Sequence, residues 1–236
     1  MNKVKALIPN GLTSLNLVFG TLSLMSTMEG DFTWASICIL LALVADGLDG
    51  RSARALGVSS EIGKELDSLC DCGSFGVAPA ILAYQLQLHN FGYIGIFAAL
   101  MFAVCGALRL ARFNVNTDVV HGYFMGLAIP AGGCLIATST LLLTAIGFDF
   151  NSLGYAYPVL VMITGYMMVS EVHYPDFKGA GEKIHLISKV FAGLVFAGII
   201  FVGISAPIYA VLFGIFASYA LFGIVNHTLT ILGGSK

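Results

Sequence analysis

Apolar residues run along this chain in stretches of about 20, the length a helix needs to cross a hydrocarbon core, and short polar breaks separate them. Runs at 11–28, 33–54, 62–86, 92–112, 123–147, 152–172, 188–206 and 208–231 predict about eight transmembrane helices. The expected fold is an all-α polytopic membrane bundle forming a single domain over 1–236. Residues 1–10 read as a short interfacial segment, with Pro9-Asn10 opening the first span because the fixed φ of Pro suits a first helical turn. The third run is unusual. Glu65, Asp67 and Asp71 occupy its first turns, and only its remainder, Phe75 to Leu86, is apolar enough to span.

Composition removes the soluble alternative. Of 236 residues, 58% are hydrophobic and 10% charged, and the mean hydropathy of +0.91 lies outside the range of an ordinary soluble domain. Cytoplasmic flanks carry an excess of Lys and Arg. With both termini cytoplasmic, all 11 basic residues fall on that side: Lys3, Lys5, Arg51, Arg54, Lys64, Arg109, Arg112, Lys178, Lys183, Lys189 and Lys236. Outer loops then hold Glu29, Asp31 and Asp149. Lys3 and Lys5 before an apolar run resemble a signal peptide, but no small-residue cleavage site follows, so the run reads as a retained first helix. A nucleic-acid partner is not expected. Five cysteines, mostly inside predicted helices, imply no disulfide framework, and Cys70 and Cys72 point about 200° apart on a helix. They read as small buried packing residues.

The chemistry concentrates in residues 46–71. Asp46 and Asp49 sit at i, i+3 near the end of the second helix, and Asp67 and Asp71 at i, i+4 at the start of the third, so each pair shares a face. The short stretch around Ala55 to Ser60 makes the two helices antiparallel neighbours and brings four acids together. One such charge at the bilayer centre costs ~2.5–3.5 kcal/mol on insertion scales, and clustering adds repulsion. Hard divalent cations relieve both. An oxygen-only donor set suits Mg²⁺ or Mn²⁺, and four carboxylates fit two ions of the kind that clamp a phosphoryl displacement. Gly50, Ala53 and Gly63 bare the backbone beside the acids, and Arg54 offers a bidentate phosphate donor. Gly73, Gly76, Gly193/Ala197 and Gly214/Ser218 read instead as close-packing positions.

The spacing Asp46-xx-Asp49-Gly50-xx-Ala53-Arg54-x8-Gly63-xxx-Asp67-xxx-Asp71 resembles the signature of the CDP-alcohol phosphatidyltransferases at all eight fixed positions. That resemblance implies attack of an alcohol hydroxyl on the lipid-linked phosphorus of a CDP-lipid, with CMP leaving. It implies that Asp46, Asp49 and Asp67 ligate metal, and that Asp71 binds the second ion and takes the hydroxyl proton. Gly50, Ala53, Arg54, Ser60 and Gly63 would hold the CDP moiety. Pro9-Asn10-Gly-Leu-Thr13 resembles the stretch that reaches the nucleotide, with Asn10 and Thr13 as contacts. A homodimer is implied as well.

Three further stretches resemble the phosphatidylserine synthases of that family: Gly63 to Pro79, Arg109 through Asn114, and Gly126 to Ala131 opening the fifth helix. The implied donor is CDP-diacylglycerol and the implied acceptor L-serine, in a prokaryotic cell membrane with the site at its cytoplasmic face. Cys70, Cys72 and Gly73 depart from the family pattern, and the C-terminal helices carry no comparable signature. Serine needs a donor for its carboxylate, and Arg112, with Asn114 and Ser74 as polar partners, lies at the right level. Arg112 reads equally as a snorkelling anchor, and Arg109 reads as one. Two alternatives remain: glycerol 3-phosphate or an inositol phosphate as acceptor, and a divalent-cation transporter. The transporter calls for paired repeats and midplane polar groups that the sequence does not show. The five histidines read as interfacial or solvated, and Tyr84, Phe91, Tyr155 and Tyr157 as an interfacial belt.

Overall fold

An apolar run in lipid must satisfy its backbone N–H and C=O groups internally, which makes helix the outcome for each of the eight runs. The computed structural model describes residues 2–58, 60–116, 123–175 and 185–234. Helix α1 (Asn2–Met28) turns through Gly30, at φ +79°, into α2 (Phe32–Leu56). The Asp31 carboxylate caps α2 by accepting from the Trp34 N–H at 2.9 Å, and Gly57 ends it in the left-handed region. Helix α3 (Glu61–Asp71) continues through a π-turn over Cys72–Val77 into α4 (Ala78–Leu86). Then follow α5 (Gly92–Asn116), α6 (Ile129–Ala145), α7 (Ala156–Val169), α8 (Leu186–Val202) and α9 (Pro207–Gly234).

Among the described residues, five segments are long and apolar enough to cross a membrane: Leu7–Met28, Phe32–Leu56, Glu61–Leu86, Leu88–Val115 and Pro207–Leu232. Helices α6, α7 and α8 are shorter and apolar. The fold is therefore the expected all-α membrane bundle. Its core is built from Ile39, Phe75, Leu82, Phe102, Leu127, Ile129 and Val161, whereas Phe97, Leu100, Leu160, Tyr166, Phe201 and Ile208 face outward onto what would be lipid. Helix α8 is the extreme case, with only Ser188 buried. Lys178, Lys183, Lys236 and His121, which the sequence reading placed in loops or at the terminus, lie outside the described residues.

Several boundaries differ from the sequence reading. The first helix starts at Asn2 rather than at residue 11, with Pro9 inside it. The missing Pro9 N–H would pair with the Lys5 carbonyl, so only one bond is lost close to the helix start, and the helix continues. The fifth span does not begin at residue 123. Tyr123–Met125 (β1) pairs antiparallel with His173–Pro175 (β2), with Phe124 opposite Tyr174. Helix α6 then begins at Ile129, with Pro130 in its first turn. The π-turn went unforeseen. It immediately precedes Pro79, which cannot donate to a carbonyl one turn back, and a widened turn accommodates that missing donor.

The ribbon is anchored at both sides. Tyr174 is fully buried, its hydroxyl donates to the Ala220 carbonyl at 3.0 Å, and its ring fills a notch that any side chain at Gly223 would block. After β1, Gly126 has φ +70° and donates to the Val172 carbonyl at 2.9 Å, and a Cβ there would run into the Met168 carbonyl. Gly126→Ala combines left-handed strain with a backbone collision and is expected to cost about 2–3 kcal/mol. A lowered thermal midpoint in detergent checks this; an unchanged midpoint would refute it.

The small residues sort by their surroundings. A Cβ at Gly73 would lie 2.9 Å from Leu17, and one at Gly214 2.8 Å from the Phe196 ring, so both are close-packing positions as read. Gly193 has nothing within 4 Å and opens outward, so its packing role inside the chain is not borne out. All five cysteines are free, and only Cys72 is not buried. Tyr157 is buried rather than part of an interfacial belt, while Tyr155 is 67% exposed and touches the Phe91 ring at 5.2 Å.

Candidate active site

The last turns of α2, the whole of α3 and the first half of α1 meet at one end of the bundle. Gly57 ends α2 and Ser60 caps α3, helix α1 packs against both, and the i, i+3 and i, i+4 spacings let the acids of α2 and α3 converge. One carboxylate oxygen from each of Asp46, Asp49 and Asp67 lies within 4.8 Å of the others. Ligands on opposite sides of one Mg²⁺ ion lie about 4.2 Å apart and those of the larger Ca²⁺ ion about 5 Å, so a small inward shift of these oxygens suits the smaller ion. Asp67 Oδ1 is buried with no hydrogen-bond partner. An orphaned acceptor among three converging carboxylates fits a hard divalent cation.

Asp71 is 7% exposed and falls outside that trio. Its Oδ1 accepts from Asn16 Nδ2 of α1 at 2.9 Å. Thr13, one turn earlier on α1, places its hydroxyl 2.6 Å from Asp49 Oδ2 and 3.0 Å from the Pro9 carbonyl. Helix α1 thus clasps both acid-bearing helices. Gly20 lets it approach closely enough for the Ser74 hydroxyl to donate to the Asn16 carbonyl at 3.0 Å, since a Cβ at Gly20 would overlap Ser74.

Asn10, Ser60 and Gly63 come together. Ser60 caps α3 by accepting from the Gly63 N–H at 3.0 Å, which leaves its own O–H available to donate. A Cβ on Gly63 would lie 3.1 Å from Ser60 Oγ and 3.3 Å from Asn10 Oδ1. On α2, Arg54 is exposed and folds over Gly50, where a Cβ would stand 3.5 Å from Arg54 Nη1; Ala53 beside it is half-buried. The site therefore has a glycine on each acid-bearing helix, with polar side chains beside both.

The residues read for an acceptor alcohol are more dispersed. Ser74 is fully buried and its proton is directed at α1. Arg112 donates to the Val169 carbonyl at 3.0 Å and also bonds Met125 Sδ, tying α5 to the end of α7 and to β1. Asn114 Nδ2 donates to Ser68 Oγ at 2.8 Å, bringing the end of α5 to α3. Arg109 corrects the reading as an exposed anchor. It is 8% exposed, its guanidinium lies 5.0 Å from the Phe113 ring centroid, and it interacts electrostatically with Tyr219 and Asp71. In the sequence Arg109 is one more basic residue at a helix end, and only its one-turn spacing from Phe113 hinted at a partner.

Two other groupings were unforeseen. Asn16 is the last polar residue before an apolar stretch, and its spacing of three from Thr13 was the available signal that the two share a face. His173 and His227, read as unrelated interfacial histidines, lie with ring centroids 4.8 Å apart, and the His173 N–H donates to His227 Nδ1.

The family model of the CDP-alcohol phosphatidyltransferases matches residues 6–173, which contain every acid described above. The chain belongs to that family. Among curated relatives, this phosphatidyltransferase is 35% identical over 192 residues to the CDP-diacylglycerol–serine O-phosphatidyltransferase of Helicobacter pylori, covering 80% of this chain and 81% of the relative. It is 32% identical over 220 residues to the enzyme of the same name from Methanocaldococcus jannaschii, covering 93% and 94%. It is 39% identical over 176 residues to the archaetidylserine synthase of Methanothermobacter thermautotrophicus, covering 74% and 72%. As a CDP-alcohol phosphatidyltransferase the chain is an enzyme, and the family match ends at the first residue of β2, leaving α8 and α9 outside it.

Proposed function

We propose that the enzyme transfers the phosphatidyl group of CDP-diacylglycerol to L-serine, giving phosphatidylserine and CMP. The observation that carries this reading is the division of labour among the acids: three converge as a cation site, and Asp71 stands beside them, oriented by Asn16. The names of the relatives support serine as acceptor. The serine hydroxyl oxygen bonds to the lipid-linked phosphorus, the bond from that phosphorus to the CMP oxygen breaks, and the hydroxyl proton passes to Asp71. Two divalent cations, Mg²⁺ or Mn²⁺, held by Asp46, Asp49, Asp67 and Asp71, would supply charge neutralisation at the diphosphate and the leaving CMP. Asn10, Thr13, Gly50, Ala53, Arg54, Ser60 and Gly63 hold the nucleotide end of the donor, and Arg112, Asn114 and Ser74 are assigned to the acceptor, with Arg112 exchanging its bond to the Val169 carbonyl for the serine carboxylate.

In this reading the site opens at the cytoplasmic face of a prokaryotic membrane with both termini on that side, which gathers Arg51, Arg54, Lys64, Arg109 and Arg112 there. Bacterial and archaeal relatives agree with that membrane. A homodimer belongs to the same reading, with Gly193 and Ala197 open on the outer surface of α8. Gly63→Val would press on Ser60 and Asn10 and is expected to raise the apparent KM for the CDP-lipid about tenfold, with the serine KM little changed; equal KM values for the donor would remove Gly63 from that subsite. The deciding experiment is CMP release by the purified protein with CDP-diacylglycerol and Mg²⁺ or Mn²⁺, offered serine, glycerol 3-phosphate and inositol 1-phosphate separately. Release with serine alone supports the assignment. Release with another alcohol keeps the reaction and changes the acceptor, and none under any condition revives a transporter.

A further inference from the structure

Among the described residues Asn16 is the one fully buried amide that touches the acids, and half of it is unused. Its exposure is 0%, its Nδ2 donates to Asp71 Oδ1 at 2.9 Å, and its Oδ1 has no hydrogen-bond partner. A buried amide oxygen left without a donor is costly and calls for a partner. The planar amide fixes where that partner must be. Oδ1 sits ~2.2 Å from Nδ2, so it lies no more than about 5 Å from the Asp71 oxygen that Nδ2 holds.

From this we infer that Asn16 is a specificity residue for the acceptor: its Oδ1 accepts a hydrogen bond from the α-ammonium of an amino-alcohol while its Nδ2 orients Asp71 toward the neighbouring hydroxyl. The inference rests on the proposed transfer to serine and deepens it. In serine the ammonium and hydroxyl are borne on adjacent carbons, roughly 3 Å apart, which matches a base and an amide acceptor held by one side chain. An ammonium group has donors only, and so does the guanidinium of Arg112 that would take the carboxylate. Of the groups at this end of the bundle, a carbonyl-type oxygen beside Asp71 is what an ammonium needs. A sugar phosphate or glycerol phosphate offers no cation to that oxygen. The backbone carbonyl of Asn16 accepts from Ser74, which ties α1 to the turn that follows Asp71.

The test compares L-serine with 3-hydroxypropanoate, which keeps the hydroxyl and carboxylate and lacks the ammonium, as acceptors for CMP release. In the Asn16→Leu variant the preference for serine over the analogue, as the ratio of kcat/KM values, is expected to fall at least tenfold. The fall should appear chiefly in the KM for serine. Both acceptors share any slowing that comes from a poorly held Asp71, so the ratio cancels that effect. If both acceptors lose the same factor, Asn16 only positions Asp71 and the inference fails. If instead the Mn²⁺ requirement shifts and the ratio stays, the oxygen serves the metal and the inference again fails. Asn16→Asp keeps an acceptor oxygen and should retain the preference even at reduced turnover. Should Asn16→Leu not fold, the Asp variant decides the matter through titrations of serine and analogue binding, which need no turnover; loss of the preference there overturns the inference. Absence of serine-dependent CMP release by the unmodified enzyme would overturn the proposed function itself, an outcome distinct from any of these.

Discussion

Asp71→Asn is expected to reduce CMP release by about a thousandfold or more, within the range that removal of a positioned general base produces, while leaving the protein folded. The substitution is isosteric, and the new side chain's Oδ1 still accepts from Asn16 Nδ2, so the contact between α1 and α3 survives. The Asp46, Asp49 and Asp67 trio is untouched, because Asp71 is not a member of it. What disappears is a carboxylate that is 7% exposed, amide-oriented and outside the trio, and with it both the proposed base and a charged ligand of the proposed second cation. Single-turnover CMP formation with serine checks it, alongside a thermal midpoint to establish folding. Near-normal turnover would remove Asp71 from the role of base and leave proton transfer to solvent. The Asp71→Asn loss should also be indifferent to serine concentration, since the defect lies in the transition state rather than in acceptor binding.

How far the chain could be read from its sequence follows from the range over which each interaction acts. The eight apolar segments and the convergence of α2 with α3 depend on runs of hydropathy and on spacings of three and four residues, and both are written locally. So was the cradle at Gly63, since Ser60 caps the helix that carries it. What escaped acts between distant parts of the chain. Asn16 meets Asp71 across 55 residues. Nothing near Tyr123 announces that it will face Pro175 across a two-stranded ribbon rather than open a helix. The apolar character of Tyr123 to Leu127 suits either structure, and Gly126 at φ +70° is what decides against helix. Arg109 was misread for a similar reason. A basic residue at a helix end is ordinarily an anchor, whereas Arg109 is buried and interacts with Tyr219, far along the chain on α9. The π-turn is the intermediate case. Pro79 is visible in the sequence as a missing donor, but nothing local distinguishes a kink or a break from the widened turn over Cys72–Val77.

Removing divalent cations is expected to abolish activity, with Mg²⁺ or Mn²⁺ restoring it, and to lower the stability of the protein measurably. Three carboxylates with oxygens within 4.8 Å of one another repel in the metal-free protein, and the orphaned Asp67 Oδ1 adds a desolvated acceptor without a donor. A bound ion reverses both effects. At a concentration one hundred times its Kd an ion stabilises by ~2.7 kcal/mol, which for a chain of this size corresponds to a rise of roughly 5 °C or more in the thermal midpoint. Asp67→Asn separates the two contributions. It relieves the repulsion, so the metal-free variant should melt at or above the temperature of the metal-free parent, yet it withdraws a charged ligand, so the metal-induced rise should shrink or vanish together with turnover. Thermal scans with and without Mn²⁺ read this directly and require no substrate. A full metal-induced shift in Asp67→Asn would mean that the ion binds elsewhere, and the trio would then be a charged structural junction. A diminished shift with a raised metal-free midpoint would show that these acids are held together at a cost to the fold, against their own repulsion, for the cation they bind.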